Sequence, residues 1–276
     1  MKFLLIGNGF IVLAHKDAIK KINGEIVGII DKNRGEDKWM EAVKKTDADC
    51  VVVLTPNDLH FEMVKFALEQ GKIVLCEKPL VVKLEQAKIL ANEDKVFTVL
   101  QLRHHPLVEL IKKEQFAKKG KHMINMNIFF KRDDENYING WKNQKERSGG
   151  FLYNLCIHYF DLLLYLFGDI KDVKVNKIYE KNGPLPEAEG KGVIEGDNYV
   201  CNWQIFINKK ENGLIIKKRE YIINDIPYNF SSKDNLAEEN LHKFTYEDLL
   251  RGKGVKPKEA LKSIELVEAI YKKLKS

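Results

Sequence analysis

The segment Gly71–Leu80, GKIVLCEKPL, decides the fold, because it joins a buried strand to a charged tip. Its first part, Ile73–Cys76, is a short apolar run rich in β-branched residues, which is the pattern of a buried strand. The run stops at Glu77-Lys78-Pro79, and the proline keeps Lys78 out of helical geometry. Ligands of open α/β sheets bind beyond the carboxyl ends of the strands, so this charged pair predicts a functional edge. The alternative is a lysine that closes a strand in a solvated turn.

The N-terminus has the order of elements that a dinucleotide-binding turn requires. Lys2–Ile6 reads as a strand, Gly7-Asn8-Gly9 as a turn, and the next residues as a helix. Gly7 permits the tight turn, and Gly9 lets backbone N–H groups approach a pyrophosphate at the helix N-terminus. The third small residue of this pattern is replaced by Val12. A doublet of glycines is a weak signal by itself, and a second strand that ends in an acid strengthens it.

The second predicted strand, Ile26–Ile30, ends in an acidic residue, Asp31. A carboxylate about 20 residues beyond the glycines is where a ribose 2′-hydroxyl is bound, and it repels a 2′-phosphate. The sequence therefore favours NAD over NADP. Arg34 keeps NADP open, because an arginine near this position accepts the 2′-phosphate, and a plain turn aspartate is the other alternative.

Two more buried strands, Cys50–Leu54 and Val96–Leu100, also end in polar residues, with helices predicted between the strands over Asp58–Gln70 and Leu84–Ala91. Alternating strands and helices predict a doubly wound parallel sheet. The first of these strands runs into Thr55-Pro56-Asn57, and the second into Gln101-Leu102-Arg103-His104-His105. Polar residues at every strand tip indicate one crevice along a single edge.

The second half contains an apolar helix with three polar residues. The helix is predicted over Phe151–Phe167, and Asn154, His158 and Asp161 recur at i, i+4 and i+7, which places them on one face. His158 suits a general base near neutral pH, Asn154 a residue that holds a sugar, and Asp161 one that orients the histidine. The alternative is a hydrogen-bonded histidine of the core.

The remaining C-terminal residues predict an open, mostly antiparallel sheet and a binding loop. Strands are expected over His122–Arg132, Asp169–Ile178, Lys191–Ile207 and Leu214–Ile223, with a connecting turn at Gly183–Pro186. The loop Asp133–Lys145 carries Tyr137 and Trp141, which can stack on a uracil or sugar ring, and Lys142, which can meet a diphosphate or carboxylate. A surface hairpin with incidental aromatics is the alternative. The expected domains are 1–102, dinucleotide-binding, and 103–276, an α+β domain for substrate binding and oligomerisation.

Composition excludes several classes of function. The chain has 276 residues with 44% hydrophobic and 31% charged residues, which is typical of a globular protein. We expect no membrane segment, because no apolar run approaches about 20 residues. The net charge of +6 is dispersed, so we expect no nucleic acid as a partner, although it suits an anionic small molecule. The four cysteines are far apart, which predicts buried thiols in a reducing, cytoplasmic compartment and no zinc site.

Several of these stretches together resemble one known family. VVVLTPNDLH and GKIVLCEKPL, succeeded by a second domain, resemble the glucose–fructose oxidoreductase/inositol dehydrogenase (Gfo/Idh/MocA) superfamily. LQLRHHP at 100–106, NLCIHYFDLLLYLFG at 154–168 and the tail segment FTYEDLLRGKGV resemble the branch that oxidises the 3-hydroxyl of UDP-N-acetyl-glucosaminuronate for bacterial surface polysaccharides. The chain is shorter than that branch between Asp31 and Cys50 and in the second sheet, which leaves room for another sugar.

The resemblance implies an NAD-dependent sugar-nucleotide dehydrogenase with a UDP-sugar substrate that works as a homo-oligomer, a dimer or tetramer. Lys78, His158 and Asn154 are the expected catalytic residues, and which of Lys78 and His158 is the base stays open. The expected cofactor-binding residues are Gly7, Gly9, Phe10, Ile11, Asp31, Thr55, Pro56, Asn57, His60, Glu77, Lys78 and Gln101. The expected substrate-binding residues are Arg103, His104, Tyr137, Trp141, Lys142, Asn154 and His158. Two alternatives remain open: a reductase of a keto sugar nucleotide and a non-catalytic sensor of NAD(H) or sugar nucleotides.

Overall fold

The structure is a computed structural model that describes residues 1–31, 36–117, 120–180, 187–230 and 238–273. The turn predicted at Gly183–Pro186 and Arg34 lie outside these residues. The chain forms two compact units: the first comprises Met1–His104 and Leu236–Ile264, and the second His105–Asn235 and Glu265–Ser276. Each unit has a sheet of its own.

The first unit contains a five-stranded parallel sheet with strand order β2-β1-β3-β4-β5. The strands are β1 (Lys2–Ile6), β2 (Glu25–Ile30), β3 (Cys50–Val53), β4 (Ile73–Cys76) and β5 (Val96–Thr98). The helices are α1 (Val12–Lys21), α2 (Glu36–Lys45), α3 (His60–Glu69) and α4 (Leu84–Leu90). Each predicted strand exists, because apolar β-branched runs buried on both faces have few other stable places in a fold.

A C-terminal helix completes the core of this unit. Helix α9 (Glu238–Leu250) contributes Tyr246 and Leu249 to the buried cluster that also contains Phe3 and Leu5 of β1. The division predicted from sequence, 1–102 and 103–276, differs from the observed grouping in the placement of 236–264. A division read along the sequence places a boundary where the pattern changes, whereas a returning helix is recognised only from what it packs against. The functions assigned to the two domains stay predictions.

The second unit is built on a six-stranded sheet with strand order β13-β12-β6-β9-β8-β7. These strands are β6 (His122–Phe130), β7 (Ile170–Glu180), β8 (Glu187–Gly196), β9 (Tyr199–Ile207), β12 (Lys218–Ile223) and β13 (Ile226–Asn229). A separate ribbon is formed by β10 (Lys210–Glu211) and β11 (Leu214–Ile215). The pairs are antiparallel except β6 with β9, which is parallel. The predicted fold class, a Rossmann-type parallel sheet plus an α+β half with a mostly antiparallel sheet, is confirmed.

The helices of the second unit correct two expectations. The loop predicted over Asp133–Lys145 contains the short helix α6 (Glu135–Ile138) and a 3₁₀ turn at Trp141–Asn143, and α7 (Lys145–Ser148) begins at its end. The apolar helix is π-helical at Leu152–Cys156 before α8 (Ile157–Phe167). Helix α5 (Pro106–Gln115), which was not predicted from the sequence, begins at a proline in its first turn. Helix α10 (Pro257–Lys273) is shared between the units, because its residues up to Ile264 belong to the first unit and those from Glu265 to the second.

The apolar helix also overturns the expectation that no run approaches the length of a membrane span. The segment Lys145–Phe167 is long enough and apolar enough by composition to cross a bilayer. The most apolar part of this segment is 94% buried inside the structure, as in the core helix of a globular protein. The sequence alone does not separate these cases, because a helix that is apolar all round occurs in both.

Candidate functional site

The five parallel strands of the first unit end in register, which brings the residues after them to one edge. Ile6 is paired with Ile30 and Val53, Val53 with Cys76, and Cys76 with Thr98. The ladder then continues by one residue, since the N–H groups of Gly7, Leu54, Glu77 and Val99 donate to carbonyls of the neighbouring strands at 2.8–3.0 Å. The glycine turn, Asp31 and the Glu77-Lys78 tip therefore all lie along one edge, as predicted, with the end of β3 between the glycine turn and the tip.

The glycine turn has the geometry that a pyrophosphate requires. Gly7 has a φ of +113°, and a Cβ there would lie 2.6 Å from the carbonyl oxygen of Leu54, so only glycine fits. A Cβ on Gly9 would meet no atom within 4 Å, so open space lies beside the backbone at the start of α1. Phe10 is next in the chain, with 72% of its surface exposed. This arrangement fits the phosphates of a dinucleotide, which bind backbone N–H groups at such a helix start. The cofactor contacts of Phe10 and Ile11 stay predictions.

The residues after β3 are braced from inside the unit. His60 is fully buried, and its two ring nitrogens lie 2.7 Å from the carbonyl oxygen of Pro79 and 3.0 Å from that of Thr55. Burial lowers the pKa of His60, although both carbonyls oppose this effect. The Thr55 hydroxyl donates to the Met63 sulfur, and Asn57 is buried. His60 thus connects the Thr55-Pro56 turn to the Glu77–Pro79 tip, because each ring nitrogen lies within hydrogen-bonding distance of a backbone carbonyl. Its role as a direct cofactor ligand stays a prediction.

The tip after β4 carries a buried carboxylate directly beside the candidate catalytic lysine. Oε2 of Glu77 accepts the backbone N–H of Lys78 at 3.1 Å, and Oε1 lies 2.9 Å from Nε2 of His15. Burial opposes ionisation of Glu77, but contacts with His15 and His242 outweigh it and hold the pKa of Glu77 well below its ordinary value. Lys78 is partly exposed, and the Lys78–Pro79 peptide bond is cis. Glu77 is therefore an ionised group built into the tip.

The basic residues after β5 make ion pairs within the first unit. Nη1 of Arg103 lies 2.6 Å from the Glu259 carboxylate, and His104 lies 3.8 Å from Asp248 and near the ring of Phe244. Burial is the main cause that lowers the pKa of His104. Gln101 is buried. The predicted contacts of Arg103 and His104 with a substrate, and of Gln101 with the cofactor, stay predictions.

The polar residues of the apolar helix lie in the interior of the second unit. Asn154, His158 and Asp161 are all buried. Asn154 belongs to the π-helical turn and His158 to α8, so the i, i+4 spacing spans a change in helical pitch that the sequence did not reveal. The Asn154 side-chain amide lies 3.5 Å from the carbonyl oxygen of Lys142, which links this helix to the loop. The catalytic roles of Asn154 and His158 stay predictions.

The aromatic residues of the loop differ in exposure. Tyr137 is buried, with the Arg132 guanidinium 5.6 Å from the centre of its ring. Trp141 and Lys142 are partly exposed, and the Lys142 ammonium lies 5.8 Å from the centre of the indole. Trp141 and Lys142 therefore present surface that a ligand can use, whereas Tyr137 mainly supports the loop. Stacking of Tyr137 and Trp141 on a ligand stays a prediction.

Two buried histidines were missed as site residues. His15, Glu77 and His242 bring nitrogen and carboxylate atoms within 4.8 Å of one another in the first unit. The sequence predicted no metal site because its histidines and cysteines lack clustered spacing, and these three residues are separated by 62 and 165 positions. A histidine on the buried face of α1, one turn into the dinucleotide-binding helix, was the only available signal.

The comparisons with known proteins agree with this geometry. Residues 1–96 match the model of an oxidoreductase family described as an NAD-binding Rossmann fold, and residues 108–224 match the C-terminal alpha/beta domain of the same family. The predicted cofactor, NAD, is thereby confirmed at the level of the domain. Among curated proteins, glucose-6-phosphate 3-dehydrogenase of Bacillus subtilis is 28% identical over 60% of this chain and 53% of its own length. The 1,5-anhydro-D-fructose reductase of Ensifer adhaerens is 32% identical over 47% of this chain and 40% of its own length.

Solved structures match over nearly the whole chain. The WlbA (WbpB) dehydrogenase of Thermus thermophilus, in complex with NAD and UDP-GlcNAcA, is 26% identical with a TM-score of 0.82 over 98% of this chain and 94% of its own. The WlbA dehydrogenase of Bordetella pertussis, in complex with NADH and UDP-GlcNAcA, is 22% identical with a TM-score of 0.81, over 100% and 96% of the two chains, and shows the shared fold. The matched part of the chain spans 53% and 40% of the lengths of the two curated relatives. The matches to both domain models, which together cover most of the chain, show that it belongs to the Gfo/Idh/MocA oxidoreductase family.

Proposed function

We propose that the protein is an NAD-dependent dehydrogenase that oxidises the sugar 3-hydroxyl of a UDP-N-acetyl-glucosaminuronate-type sugar nucleotide. The observation that carries this proposal is the common edge of the first sheet. There the glycine turn after β1, Asp31 after β2 and Lys78 after β4 are held in register by the parallel ladder. The similarity to a dehydrogenase solved with NAD and UDP-GlcNAcA supports the choice of substrate.

The residues of the edge divide the chemistry between them. Backbone N–H groups after Gly7 and Gly9 bind the pyrophosphate, and Asp31 accepts hydrogen bonds from the ribose hydroxyls. NAD supplies the hydride acceptor when it is bound. The Lys78 amine lies on the same edge and takes or shares the proton of the sugar hydroxyl, which is the role of a positioned general base. His158 is the second candidate for this proton.

A second candidate function is oxidation or reduction of a simpler sugar or sugar phosphate. Two observations favour it: the curated relatives include a sugar-phosphate dehydrogenase and a sugar reductase, and Arg103 is engaged by Glu259 within its own unit. Under this alternative the diphosphate and uracil contacts of the sugar-nucleotide hypothesis are absent.

The experiment that tests the proposal is a substrate panel with the purified 276-residue chain. The protein is incubated with NAD and, separately, UDP-N-acetyl-glucosaminuronate, UDP-N-acetyl-glucosamine, glucose 6-phosphate and a free anhydro sugar. NADH is read by absorbance and the product by mass, where oxidation removes two hydrogens. Turnover of UDP-N-acetyl-glucosaminuronate well above that of UDP-N-acetyl-glucosamine, which lacks the carboxylate, supports the proposal. Preferential turnover of the sugar phosphate or the free sugar contradicts the proposal and favours the second candidate function. No turnover of any compound, with NAD bound, favours a sensor.

A further inference from the structure

A buried network behind the Glu77-Lys78 tip has no role in the proposed function. It consists of Glu77, His15 on α1, and His242 and Tyr246 on α9, and all four side chains belong to the first unit. His15, His242 and Tyr246 are within 1% of complete burial. Placing an ionised carboxylate and two imidazoles together in a core is unfavourable unless each of these groups has hydrogen-bond partners. A network of this kind therefore calls for an explanation beyond packing.

The distances assign a direction to the hydrogen bonds. A carboxylate only accepts, so Nε2 of His15, 2.9 Å from Glu77 Oε1, carries the hydrogen. In a neutral imidazole Nδ1 is then an acceptor, and it receives the hydroxyl hydrogen of Tyr246 at 2.8 Å. Burial lowers the pKa of His15 and raises that of Tyr246, so both remain in these forms at neutral pH. The chain of donors runs from Tyr246 through His15 to Glu77.

A second histidine, His242, lies near the same carboxylate. Its Nε2 lies 3.4 Å from Glu77 Oε1, and its ring meets that of His15 edge to face with 4.8 Å between the centres. The other carboxylate oxygen, Oε2, accepts the backbone N–H of Lys78. Both oxygens of Glu77 are thus fixed, one by α1 and α9 and the other by the residue that carries the candidate catalytic amine.

A bound metal ion explains the cluster less well than hydrogen bonds do. Ligand atoms of a tetrahedral zinc site lie about 3.3 Å apart, given metal–ligand distances of about 2.0–2.1 Å. The distance of 2.9 Å between His15 Nε2 and Glu77 Oε1 is shorter and matches a charge-assisted hydrogen bond.

We propose that His15 and His242, with Tyr246 behind His15, are positioning residues that orient Lys78 for proton transfer by holding Glu77. This inference rests on the proposed function, since it assigns a purpose to the orientation of Lys78. Through these contacts helix α9, far away in sequence, becomes part of the support of the strand tip. A misplacement of about 1 Å at a reacting group costs on the order of a hundred-fold in rate, so such support is functionally significant.

Four variants of the 276-residue chain test the proposal. His15→Leu removes the donor to Glu77, whereas His15→Gln keeps an N–H at nearly the same place. Glu77→Gln removes the charge with little change of shape, and Tyr246→Phe removes only the hydroxyl, so it retains the packing if His15→Leu fails to fold. Lys83→Ala is the matched control, because Lys83 is an exposed lysine five residues from Lys78.

Two measurements are made on each folded variant: kcat with KM for NAD, and the rate at which an amine-acylating reagent labels Lys78 relative to the exposed Lys88, read by mass spectrometry. We expect His15→Leu and Glu77→Gln to lower kcat by about ten-fold or more while KM for NAD changes less, and to change the Lys78 labelling ratio several-fold. His15→Gln is expected to restore most of both signals, and Tyr246→Phe to shift them in the same direction by less.

Labelling needs no substrate, so it separates this inference from the proposed function. If the wild-type chain turns over no sugar nucleotide, the proposed function fails, and the labelling ratio still decides whether the network orients Lys78. An unchanged ratio in His15→Leu, Glu77→Gln and Tyr246→Phe would overturn the inference and leave the network a purely structural role. A stoichiometric metal in the purified wild-type protein, with labelling that changes on chelation, would also overturn it.

Discussion

Gly7 has a φ of +113°, and a Cβ built on it would lie 2.6 Å from the Leu54 carbonyl oxygen. Single positions of this kind could be predicted from the sequence, because a glycine between a strand and a helix has few other reasons to be there. Lys78 and Asp31 could be predicted for the same reason, as charged residues directly after apolar runs. His15 and His242 could not, since a lone histidine in a helix carries no mark of the carboxylate that it meets.

Alanine variants of the two turn glycines separate backbone strain from weakened cofactor binding. Gly7→Ala is expected to lower the free energy of unfolding by about 1–3 kcal/mol, because alanine disfavours this φ and its methyl group meets backbone. Gly9→Ala is the control: its methyl group meets no protein atom, so stability is retained while NAD binding weakens. Urea denaturation and titration with NAD measure the two effects. Equal stability of Gly7→Ala and wild type would contradict the account of this turn.

At the scale of elements, the strands of the first sheet were predicted and several helices were not. Strand runs such as Cys50–Val53 are buried on both faces and are apolar throughout, so their identity is local. The π-helical turn at Leu152–Cys156 depends on packing inside the second unit, and α5 carries a mixed pattern after its proline. The place of helix α9 beside α1 depends on contacts between residues more than 200 positions apart in the sequence.

The packing of α9 predicts different losses of stability for two adjacent leucines. Leu249 is buried in the core of the first unit, while the next residue, Leu250, is 46% exposed. Leu249→Ala is expected to cost about 2–5 kcal/mol through the cavity it leaves, whereas Leu250→Ala costs less than about 1 kcal/mol. Chemical denaturation monitored by tryptophan fluorescence measures both. Similar losses in the two variants would contradict the assignment of α9 to this core.

At the scale of the whole molecule, 236–264 joins the N-terminal residues in one compact unit. A single sequence does not show this, because a segment that returns to an earlier domain has the same local pattern as one that stays with its neighbours. The fold class was nevertheless predictable, since alternating strands and helices with a strand-rich half after them admit few arrangements. The network around Glu77 has a consequence for stability as well as for Lys78.

The buried histidines predict a loss of stability in acid. Burial lowers the pKa values of His15 and His60 below the ordinary 6.5, so below that pH the unfolded chain binds protons that the folded chain does not. The lowered pKa of Glu77 acts in the same direction below 4.5, the ordinary value for this carboxyl. The unfolding midpoint in urea is therefore expected to fall between about pH 7 and pH 5 and to fall further below it. His15→Gln is the control, and its midpoint is expected to change less over the first interval. A midpoint independent of pH would contradict these assignments.

The central claim is that the Lys78 amine at the tip of β4 takes or shares the proton of the sugar hydroxyl. Its most direct test compares Lys78→Ala with Lys83→Ala. Single-turnover formation of NADH and the dissociation constant of NAD are determined for both variants and for wild type. We expect Lys78→Ala to lose at least about a hundred-fold in turnover while it still binds NAD, and Lys83→Ala to behave as wild type. Near-normal turnover by Lys78→Ala would contradict this claim.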